Sequence, residues 1–316
     1  MKKITFLVFS LVAIISVMVI SCSKDTPAPT VEIFATIDGY TVSFNPTVTD
    51  VDTYAWDFDD GETSTEAKPV HTYAVSGTYQ VTLVVKGEGG EATAVKDLTI
   101  AASFLEMLTG GASADNGKTW VLTPIYTPGV EGGGPITAEM PITQDSFDNA
   151  LAMFQLESEY DNEYTFFANG DYQIDPKNGF VLAGAVYGSL NEIIEGEPAY
   201  EIGMCKASFT APTGATFEVH HEDLIVDAIT DPNTSDVPPV HADVTFTNKT
   251  WISLSEGAFF GILDFPTTTQ FIIKEITPTR MTVALFLCGY GYGENIADIM
   301  LPTNLIHLTF VPKSSK

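Results

Sequence analysis

Cysteine and basic residues are both scarce in this chain of 316 residues. Its three cysteines cannot form the dense disulfide framework of a small secreted scaffold. Only 14 Lys and Arg stand against 41 Asp and Glu, a formal net charge of −27. Because such a chain repels phosphate groups, nucleic acid is excluded as a partner. The sequence also lacks a G-x-S-x-G, P-loop or dinucleotide-binding motif. A hydrophobic content of 45% is too high for a disordered acidic tail, and the length fits about two domains.

The first 21 residues have the anatomy of a secretory signal peptide. A basic start, Met1-Lys2-Lys3, precedes the apolar run Ile4–Ile20, which ends at Ser21. A run of 17 residues lies at the lower limit for a membrane-spanning helix, so a transmembrane anchor is the alternative interpretation.

The end of this leader resembles the lipobox of bacterial lipoproteins. The residues are Val19-Ile20-Ser21-Cys22, and the resemblance implies cleavage before Cys22, acylation of its thiol and amino group, and anchoring in a lipid bilayer. Residues 22–30 then form the lipidated cysteine and a linker. Ser23-Lys24-Asp25 is similar to the export tether of surface lipoproteins of Bacteroidota, which implies an outer-membrane location facing the cell exterior.

Residues 31–101 show the short, alternating pattern of an all-β module. Tyr79–Val85 alternates with a period of two, and Asp38-Gly39 is a hairpin signal between two strand-like runs. Strands at this spacing predict an Ig-like β-sandwich.

Two motifs in this module resemble those of the PKD domain family. Trp56-Asp57-Phe58-Asp59-Asp60-Gly61 matches W-x-F-G-D-G, and His71-Thr72-Tyr73 with Gly77–Leu83 matches H-x-Y followed by G-x-Y-x-V-x-L. The resemblance implies a spacer or display module. Asp59 replaces the usual Gly, at a turn that we expect to require a positive φ. His71 is either a structural histidine bonded near that turn or a ligand or base.

Residues 102–316 are predicted to form a larger β domain. Ten strand-like segments indicate a β-sandwich of jelly-roll type, with a lipocalin-like barrel as the alternative. Among these segments are Thr216–His220, His241–Thr247 and Thr250–Leu254. A short helix is expected at Phe104–Gly111, and one or two more in Gln144–Phe154, with Asp145 or Ser146 as the N-cap.

The second domain resembles a module that follows PKD domains in surface glycan-binding lipoproteins of Bacteroidota. The resemblance rests on Gly117-Lys118-Thr119-Trp120 and on Tyr160-Asp161-Asn162-Glu163-Tyr164. It implies glycan binding beside an outer-membrane transporter complex. Similar patterns also occur in lipocalin-like barrels. The module usually has paired aromatics before Tyr160, where this chain has Phe147 and Phe154 but no Trp.

Several aromatic residues are candidates for stacking on pyranose rings. Tyr290 and Tyr292 flank Gly291 and would share one face of an extended strand. Flat aromatic surfaces with nearby polar groups suit neutral sugars. The candidates are Tyr290, Tyr292, Trp251, Tyr126 and Tyr160, and burial in the core is the alternative for each. With 28 acidic and 8 basic residues, the domain should disfavour sulfated or uronic polymers, so we expect a neutral glucan- or mannan-like polysaccharide or oligosaccharide.

Glu159, Asp161 and Glu163 would share one face if they lay on a strand. Glu159 and Glu163 could then serve as the carboxylate pair of a retaining glycoside hydrolase. The three could instead hold a structural Ca²⁺, or form a solvated acidic loop. His220 and His221 are adjacent and would point to opposite faces, which disfavours a shared metal ion. Cys205 and Cys288 either pair as a disulfide or remain two buried thiols.

These observations together predict a surface lipoprotein that holds polysaccharide without cleaving it, for a glycan uptake system. No catalytic residue and no cofactor is predicted, and a structural Ca²⁺ held by Glu159, Asp161 and Glu163 is an alternative to a solvated acidic loop. The alternatives are a divergent glycoside hydrolase using Glu159 and Glu163, and a structural or adhesive surface protein.

Overall fold

A computed structural model describes residues 26–112, 114–199, 202–231, 240–265, 269–288 and 300–314. The chain divides into two compact units between Ala101 and Ala102. Both are built mainly from β-strands, which confirms the all-β prediction. The leader, residues 1–21, and Cys22 lie outside the described residues. None of the helices within the described ranges has the length and apolar character needed to cross a bilayer.

The first unit is an Ig-like sandwich, as predicted. Its sheets have the strand orders β2-β3-β7 and β6-β5-β8-β9, and β1 pairs with β4. The strands are β1 Thr30–Glu32, β2 Ala35–Asp38, β3 Thr41–Phe44, β4 Thr47–Thr49, β5 Thr53–Asp57, β6 Thr63–Ser64, β7 Val70–Thr72, β8 Gly77–Gly87 and β9 Gly90–Ile100.

The motif aromatics of the first unit form its core. Trp56, Phe58 and Tyr73 are buried. Trp56 and Phe58, at the end of β5, are two residues apart and point to the same side, and Tyr73 directly follows β7. The Trp56 indole N–H donates to the Glu66 carbonyl at 2.9 Å, and the Tyr73 hydroxyl donates to the Phe58 carbonyl at 3.2 Å. Each polar tip thus has a partner, which buried aromatics of this kind require.

His71 occupies a structural position in this core. Its ring stacks on Phe58 with centroids 4.1 Å apart, and its Nε2 lies 2.7 Å from a carboxylate oxygen of Asp60. Of the two interpretations from the sequence, the geometry matches the structural histidine. Asp59 has φ = 65°, as expected for the residue that replaces Gly. Its carboxylate also accepts the Gln80 backbone N–H at 2.9 Å, a bond that Gly could not make.

Asp59 provides a first test of this turn. Asp59→Ala should lower the free energy of unfolding of the first unit by about 1–2 kcal/mol, because it loses the bond and keeps an unfavourable φ. Asp59→Gly should cost less, since Gly tolerates that φ. Denaturant-dependent hydrogen exchange at the β8 amides of the full chain measures both changes. Equal losses in the two variants would contradict this account of the turn.

The second unit holds twelve strands and four short helical segments among its described residues. The strands are β10 Lys118–Leu122, β11 Gly132–Pro135, β12 Gln144–Asp145, β13 Glu163–Phe166, β14 Tyr172–Asp175, β15 Phe180–Gly184, β16 Met204–Ser208, β17 Phe217–Asp231, β18 Val240–Leu254, β19 Gln270–Thr277, β20 Arg280–Leu287 and β21 Asn304–Pro312. The helices are α1 Phe104–Thr109, α2 Ala150–Met153 and α3 Ala185–Leu190, with a 3₁₀ turn at Glu157–Asp161.

The main sheet of this unit is antiparallel, with the order β14-β13-β10-β21-β20-β19-β18-β17. The residues that directly precede its two end strands, Asp171 and Thr216, are joined by a single bridge. Within the described ranges no continuous ladder closes the sheet, so the barrel alternative is wrong and the sandwich is confirmed. The β15–β16 hairpin forms a separate sheet, and its buried residues share one apolar cluster with residues of the main sheet.

The longest hairpin, β17–β18, unites segments that the sequence predicts as separate strands. The register shifts between Glu222 and Leu224, and Asn248 has φ = 51°. These irregularities let two 15-residue strands bend without ending. Side chains from the far half of the hairpin, including Val226 and Phe246, join a second apolar cluster with Phe286 of β20.

The predicted helix near Phe104 is confirmed, and the prediction for Gln144–Phe154 is partly wrong. In α1, the Ser103 hydroxyl accepts the Glu106 N–H at 3.1 Å. Gln144 and Asp145 are instead in β12, where they pair with β11. α2 begins only after Asn149, whose φ is 55° and whose side chain makes no cap, so Asp145 and Ser146 are not N-caps.

Candidate functional site

A cavity of about 210 Å³ lies beside β21 in the second unit. Two segments form its outer walls, residues 122–133 and residues 144–160. Leu182 of β15 and Met204 of β16 close it from behind, and β21 contributes residues 306–309. The cavity therefore sits where the two sheets of the unit approach each other, a common position for small-ligand sites.

The interior wall of the cavity is aliphatic. Four of its side chains are buried and two are half-buried. They are Leu122, Leu151, Leu182, Met204, Ile306 and Leu308. Ile306 and Leu308 share one face of β21, because alternate residues of a strand point to the same side.

The mouth of the cavity combines exposed apolar and polar side chains. Ile125 is 68% and Phe147 is 44% exposed, while Tyr126 is half-buried and Gln144 and Asp145 are exposed. Partial burial and the hydrogen bond to the Asp145 carboxylate raise the pKa of Tyr126. A flat aromatic surface beside a carboxylate and an amide is thus presented at the entrance.

Backbone hydrogen bonds fix the loop that carries Tyr126. The Tyr126 N–H donates to Asp148 Oδ1 at 2.8 Å, and the Thr127 N–H donates to Glu131 Oε2 at 2.7 Å. The Asn149 N–H donates to the Pro124 carbonyl at 2.8 Å. The two walls of the mouth are therefore tied to each other, so their aromatic groups are preorganised for a ligand.

A polar network lies on the face of β21 opposite to the one that carries Ile306 and Leu308. Glu131 is buried, lies 3.2 Å from an Arg280 guanidinium nitrogen and accepts a hydrogen bond from Thr309. His307 is fully buried, and its Nδ1 lies 3.0 Å from the Lys274 ammonium. Because an ammonium can only donate, Nδ1 is the acceptor and the neutral ring carries its proton on Nε2. Thr309 and His307 point away from the face that holds Ile306 and Leu308.

Burial and the neighbouring Lys274 charge lower the pKa of His307 to about 4. The imidazole is therefore neutral in the folded protein at pH values where an exposed histidine is charged. The unfolded chain takes up this proton near the ordinary pKa of about 6.5. The contribution of His307 to stability is thus fully present above that pH and is lost as the pH falls towards 4.

His307→Gln provides a test, since glutamine can still accept from Lys274 but does not titrate in this range. Between pH 7 and pH 4, wild type should lose roughly 3 kcal/mol more unfolding free energy than the variant. Urea unfolding of both full-length proteins at a series of pH values measures the difference. A difference that does not change with pH would contradict the neutral assignment.

The structure places the five aromatic residues that were predicted to contact a glycan in three different situations. Tyr126 and Tyr160 line the cavity, with the Tyr160 hydroxyl accepting the Leu151 N–H at 3.2 Å. Trp251 is only 8% exposed and stacks on His220 with centroids 3.8 Å apart. Its ring is thus covered on one face and buried overall, and the prediction of a glycan contact there is wrong. Tyr290 and Tyr292 lie outside the described residues.

The prediction that three carboxylates share a face is also wrong. Glu159 and Asp161 lie in the 3₁₀ turn, and only Glu163 is on a strand. Glu159 is buried, and its oxygens accept from Asn162 at 2.7 Å and from Ser158 at 3.0 Å. Burial raises the pKa of Glu159 despite these bonds.

Asp161 and Glu163 have surroundings that differ from those of Glu159 and from each other. Asp161 is exposed, whereas Glu163 forms ion pairs with Lys177 at 2.9 Å and with Lys313. No group of three or more His, Cys, Asp or Glu side chains in the described part of the chain could hold a metal ion. The arrangement that both the hydrolase and the calcium hypotheses required is therefore not formed by Glu159, Asp161 and Glu163.

Cys205 and Cys288 are two buried thiols that are not joined by a disulfide, which is the second of the two alternatives. Near them lies Asp264, which sequence reasoning missed. Its carboxylate accepts the N–H groups of Phe265 at 3.0 Å and Cys288 at 2.9 Å. Burial raises the pKa of Asp264 to about 7, despite these two bonds. Burial, and then the Asp264 charge, raises the pKa of the Cys205 thiol to about 11, so Cys205 is a protonated, unreactive thiol at neutral pH.

Comparison with known proteins assigns the first unit. Residues 26–102 match the PKD domain family, in agreement with the motifs. The chain is 55% identical to collagenase ColQ1 of Bacillus cereus over 38 residues, which is 12% of this chain and 4% of that protein. It is 38% identical to the pre-pro-metalloprotease PrtV of Vibrio cholerae over 68 residues, 20% of this chain and 7% of that protein. The chain thus spans a small fraction of these relatives, and the similarity covers the PKD domain alone.

One solved structure aligns with most of the chain. It comes from a study of carbohydrate-binding modules of the β-sandwich superfamily with promiscuous specificity. The alignment covers 92% of this chain and 94% of that one, at 13% identity and a TM-score of 0.24. At that TM-score the likeness supports no inference about a ligand.

Proposed function

We propose that this protein is a surface lipoprotein whose second unit binds a polysaccharide without cleaving it. The observation that carries the proposal is the mouth of the cavity, where Tyr126 and Phe147 lie beside Gln144 and Asp145. Aromatic faces pack against the C–H faces of pyranose rings, while amides and carboxylates bind hydroxyl groups. Because the loop carrying Tyr126 is held in place, binding would require little ordering of these side chains.

The charge of the second unit supports a neutral ligand. Its 28 acidic and 8 basic residues give it a net charge of −20, and Asp145 lies at the cavity mouth. A sulfated or uronic polymer would be repelled by this field. A neutral glucan or mannan is therefore the class of polysaccharide that we propose.

The environment of the acidic residues supports binding without catalysis. A retaining glycosidase needs two carboxyl groups about 5–5.5 Å apart facing one substrate. Glu159 is held inside by Asn162 and Ser158, while Glu163 is paired with lysines. Neither of these arrangements resembles an acid and nucleophile that face a shared cleft.

The leader, the linker and the PKD domain would together display the second unit at the cell surface. Acylation of Cys22 would attach the chain to the outer membrane, residues 22–30 would act as a linker, and the PKD domain would act as a spacer. The second unit would then face the cell exterior and hold polysaccharide for an outer-membrane transporter. A structural or adhesive role without a glycan ligand is the alternative.

Retention of the full-length protein in detergent by a polysaccharide panel tests the binding proposal. The panel contains a β-glucan, an α-mannan and a xylan, with polygalacturonate and dextran sulfate as anionic members. We expect retention by at least one neutral polysaccharide, none by the anionic ones, and no release of reducing ends. Release of reducing ends by wild type, but not by Glu163→Gln, would favour a hydrolase. A lack of retention by every member would favour the adhesive role.

A further inference from the structure

The size of the cavity limits what can enter it. A protein cavity of about 150 Å³ lined by aliphatic and aromatic side chains holds one benzene molecule. At about 210 Å³, this cavity has room for one six-membered ring with a small substituent. It is too small for two consecutive sugar units of a polymer.

The chemistry of the interior wall limits the ligand further. Six of the lining side chains are aliphatic and offer no partner to the hydroxyl groups of a sugar ring. Polar side chains also line the cavity, at Thr123, Glu131, Tyr160, His307 and Thr309, but those of His307 and Thr309 point to the opposite face of β21 from Ile306 and Leu308. The Tyr160 hydroxyl accepts the Leu151 N–H and has one donor left, and Glu131 already bonds Arg280 and Thr127. Burying a hydroxyl without a partner is unfavourable, and a sugar ring would bring several hydroxyl groups. With one available donor at Tyr160 and an otherwise mainly aliphatic wall, the interior favours a mainly apolar group over a sugar ring.

The mouth has the opposite chemistry. Gln144 and Asp145 are exposed there and can bind hydroxyl groups, while Tyr126 and Phe147 offer aromatic faces. A ligand that satisfies both regions has a sugar at the mouth and a small apolar group inside.

We infer that the cavity selects a neutral sugar bearing one apolar substituent, an aryl or short acyl group, and that this substituent occupies the interior. The inference rests on the proposed function for the sugar part, but the interior can be tested independently of any glycan. Burial of an aromatic ring contributes about 1.5–3 kcal/mol. A phenyl glycoside should therefore bind roughly tenfold to a hundredfold more tightly than the corresponding methyl glycoside.

Gly133 allows the interior to be filled without disturbing the fold. It lies on β11 directly opposite Ile306, so a side chain at this position would point to the same face. A Cβ atom added to Gly133 would meet only the Ile306 Cδ1 atom within 4 Å, at an ordinary 3.5 Å. Gly133→Val, with a residue favoured in strands, should therefore occupy part of the cavity. Gly133→Ala adds a single methyl group and is the milder variant.

The experiment titrates full-length wild type, Gly133→Val and Gly133→Ala with phenyl and methyl β-glucosides, the same pair of mannosides, and phenol alone. Thr245→Val, which adds a valine at an exposed position of β18, is the matched control. We expect a phenyl preference in wild type and Thr245→Val, a reduced preference in Gly133→Ala and its loss in Gly133→Val. Equal binding of phenyl and methyl glycosides by wild type, or an unchanged preference in Gly133→Val with an unchanged unfolding curve, would overturn the inference.

The phenol arm separates this inference from the proposed function. Binding of phenol that Gly133→Val abolishes supports the apolar interior, even if no polysaccharide is retained and the glycan proposal fails. Polysaccharide retention without phenol binding or a phenyl preference leaves the glycan proposal standing and overturns the inference.

Discussion

Tyr126→Ala combined with Phe147→Ala is expected to weaken retention of the full-length protein by a neutral polysaccharide at least about tenfold. Both side chains lie at the cavity mouth, and Phe147 is 44% exposed. Aromatic residues such as Tyr that a ligand covers on binding are among those whose truncation to alanine weakens binding most. Affinity electrophoresis of wild type and variant at a series of polysaccharide concentrations measures the change.

The chain offers a matched control for this loss of retention. Phe34, in the PKD domain, is 49% exposed, so Phe34→Ala removes an equally exposed phenyl ring far from the cavity in sequence. We expect retention of Phe34→Ala to equal that of wild type. Equal retention of the double variant and wild type would place the binding site elsewhere. Equal loss in Phe34→Ala would point to a general effect of exposed aromatic residues.

Trp120→Ala is expected to lower the unfolding free energy of the second unit by about 3–5 kcal/mol. Trp120 is fully buried, and its indole N–H donates to the Leu108 carbonyl at 2.9 Å. The substitution would leave a large cavity and a carbonyl without its donor, and both are costly in a close-packed core. This loss is a large share of the total stability of a domain, which is typically about 5–15 kcal/mol.

Urea unfolding of the full-length variants, followed by circular dichroism, measures this loss. Trp120→Phe is the matched variant because it keeps most of the buried ring and removes the hydrogen bond. We expect it to cost less than half of the alanine loss, since a net hydrogen bond contributes about 0.5–1.5 kcal/mol. Wild-type stability in Trp120→Ala would contradict the placement of Trp120 in the core.

The PKD fold could be predicted from the sequence because its information is local. Trp56 and Phe58 are two residues apart, and a strand places such residues on the same side. The motif therefore specifies the buried face directly. Because Asp59 stands where the motif has Gly, the sequence also indicates that its backbone has a positive φ. His71 could be assigned a partner near that turn, since its spacing from the acidic turn is fixed by the motif.

The carboxylates of the second unit could not be placed in the same way. Glu159 and Glu163 would point to the same side only if both lay on one strand. Glu159 instead lies in a 3₁₀ turn that ends at Asp161, and the strand begins at Glu163. The Asn162 side chain stabilises that turn by donating to Glu159 and to the carbonyl of Phe180. The second of these contacts depends on tertiary structure that no local pattern contains.

Trp251 shows why the exposure of an aromatic residue could not be predicted from the sequence. Trp251 and His220 are directly opposite each other in the β17–β18 pair and therefore lie on the same side of it. Whether that side is open depends on side chains from the far half of the same hairpin, such as Phe246, which join the cluster containing Trp251. The cavity likewise brings Tyr126, Tyr160 and Ile306 together from distant segments, so its existence could not be inferred from sequence spacing.

Hydrogen–deuterium exchange of the full-length protein tests the central claim most directly. The protein is compared with and without an oligosaccharide of whichever neutral polysaccharide of the panel it retains. The account predicts slower exchange in residues 122–133 and 144–160, the two walls of the cavity, and unchanged exchange in residues 31–101. Protection confined to residues 31–101, or to parts of the second unit away from these walls, would contradict it.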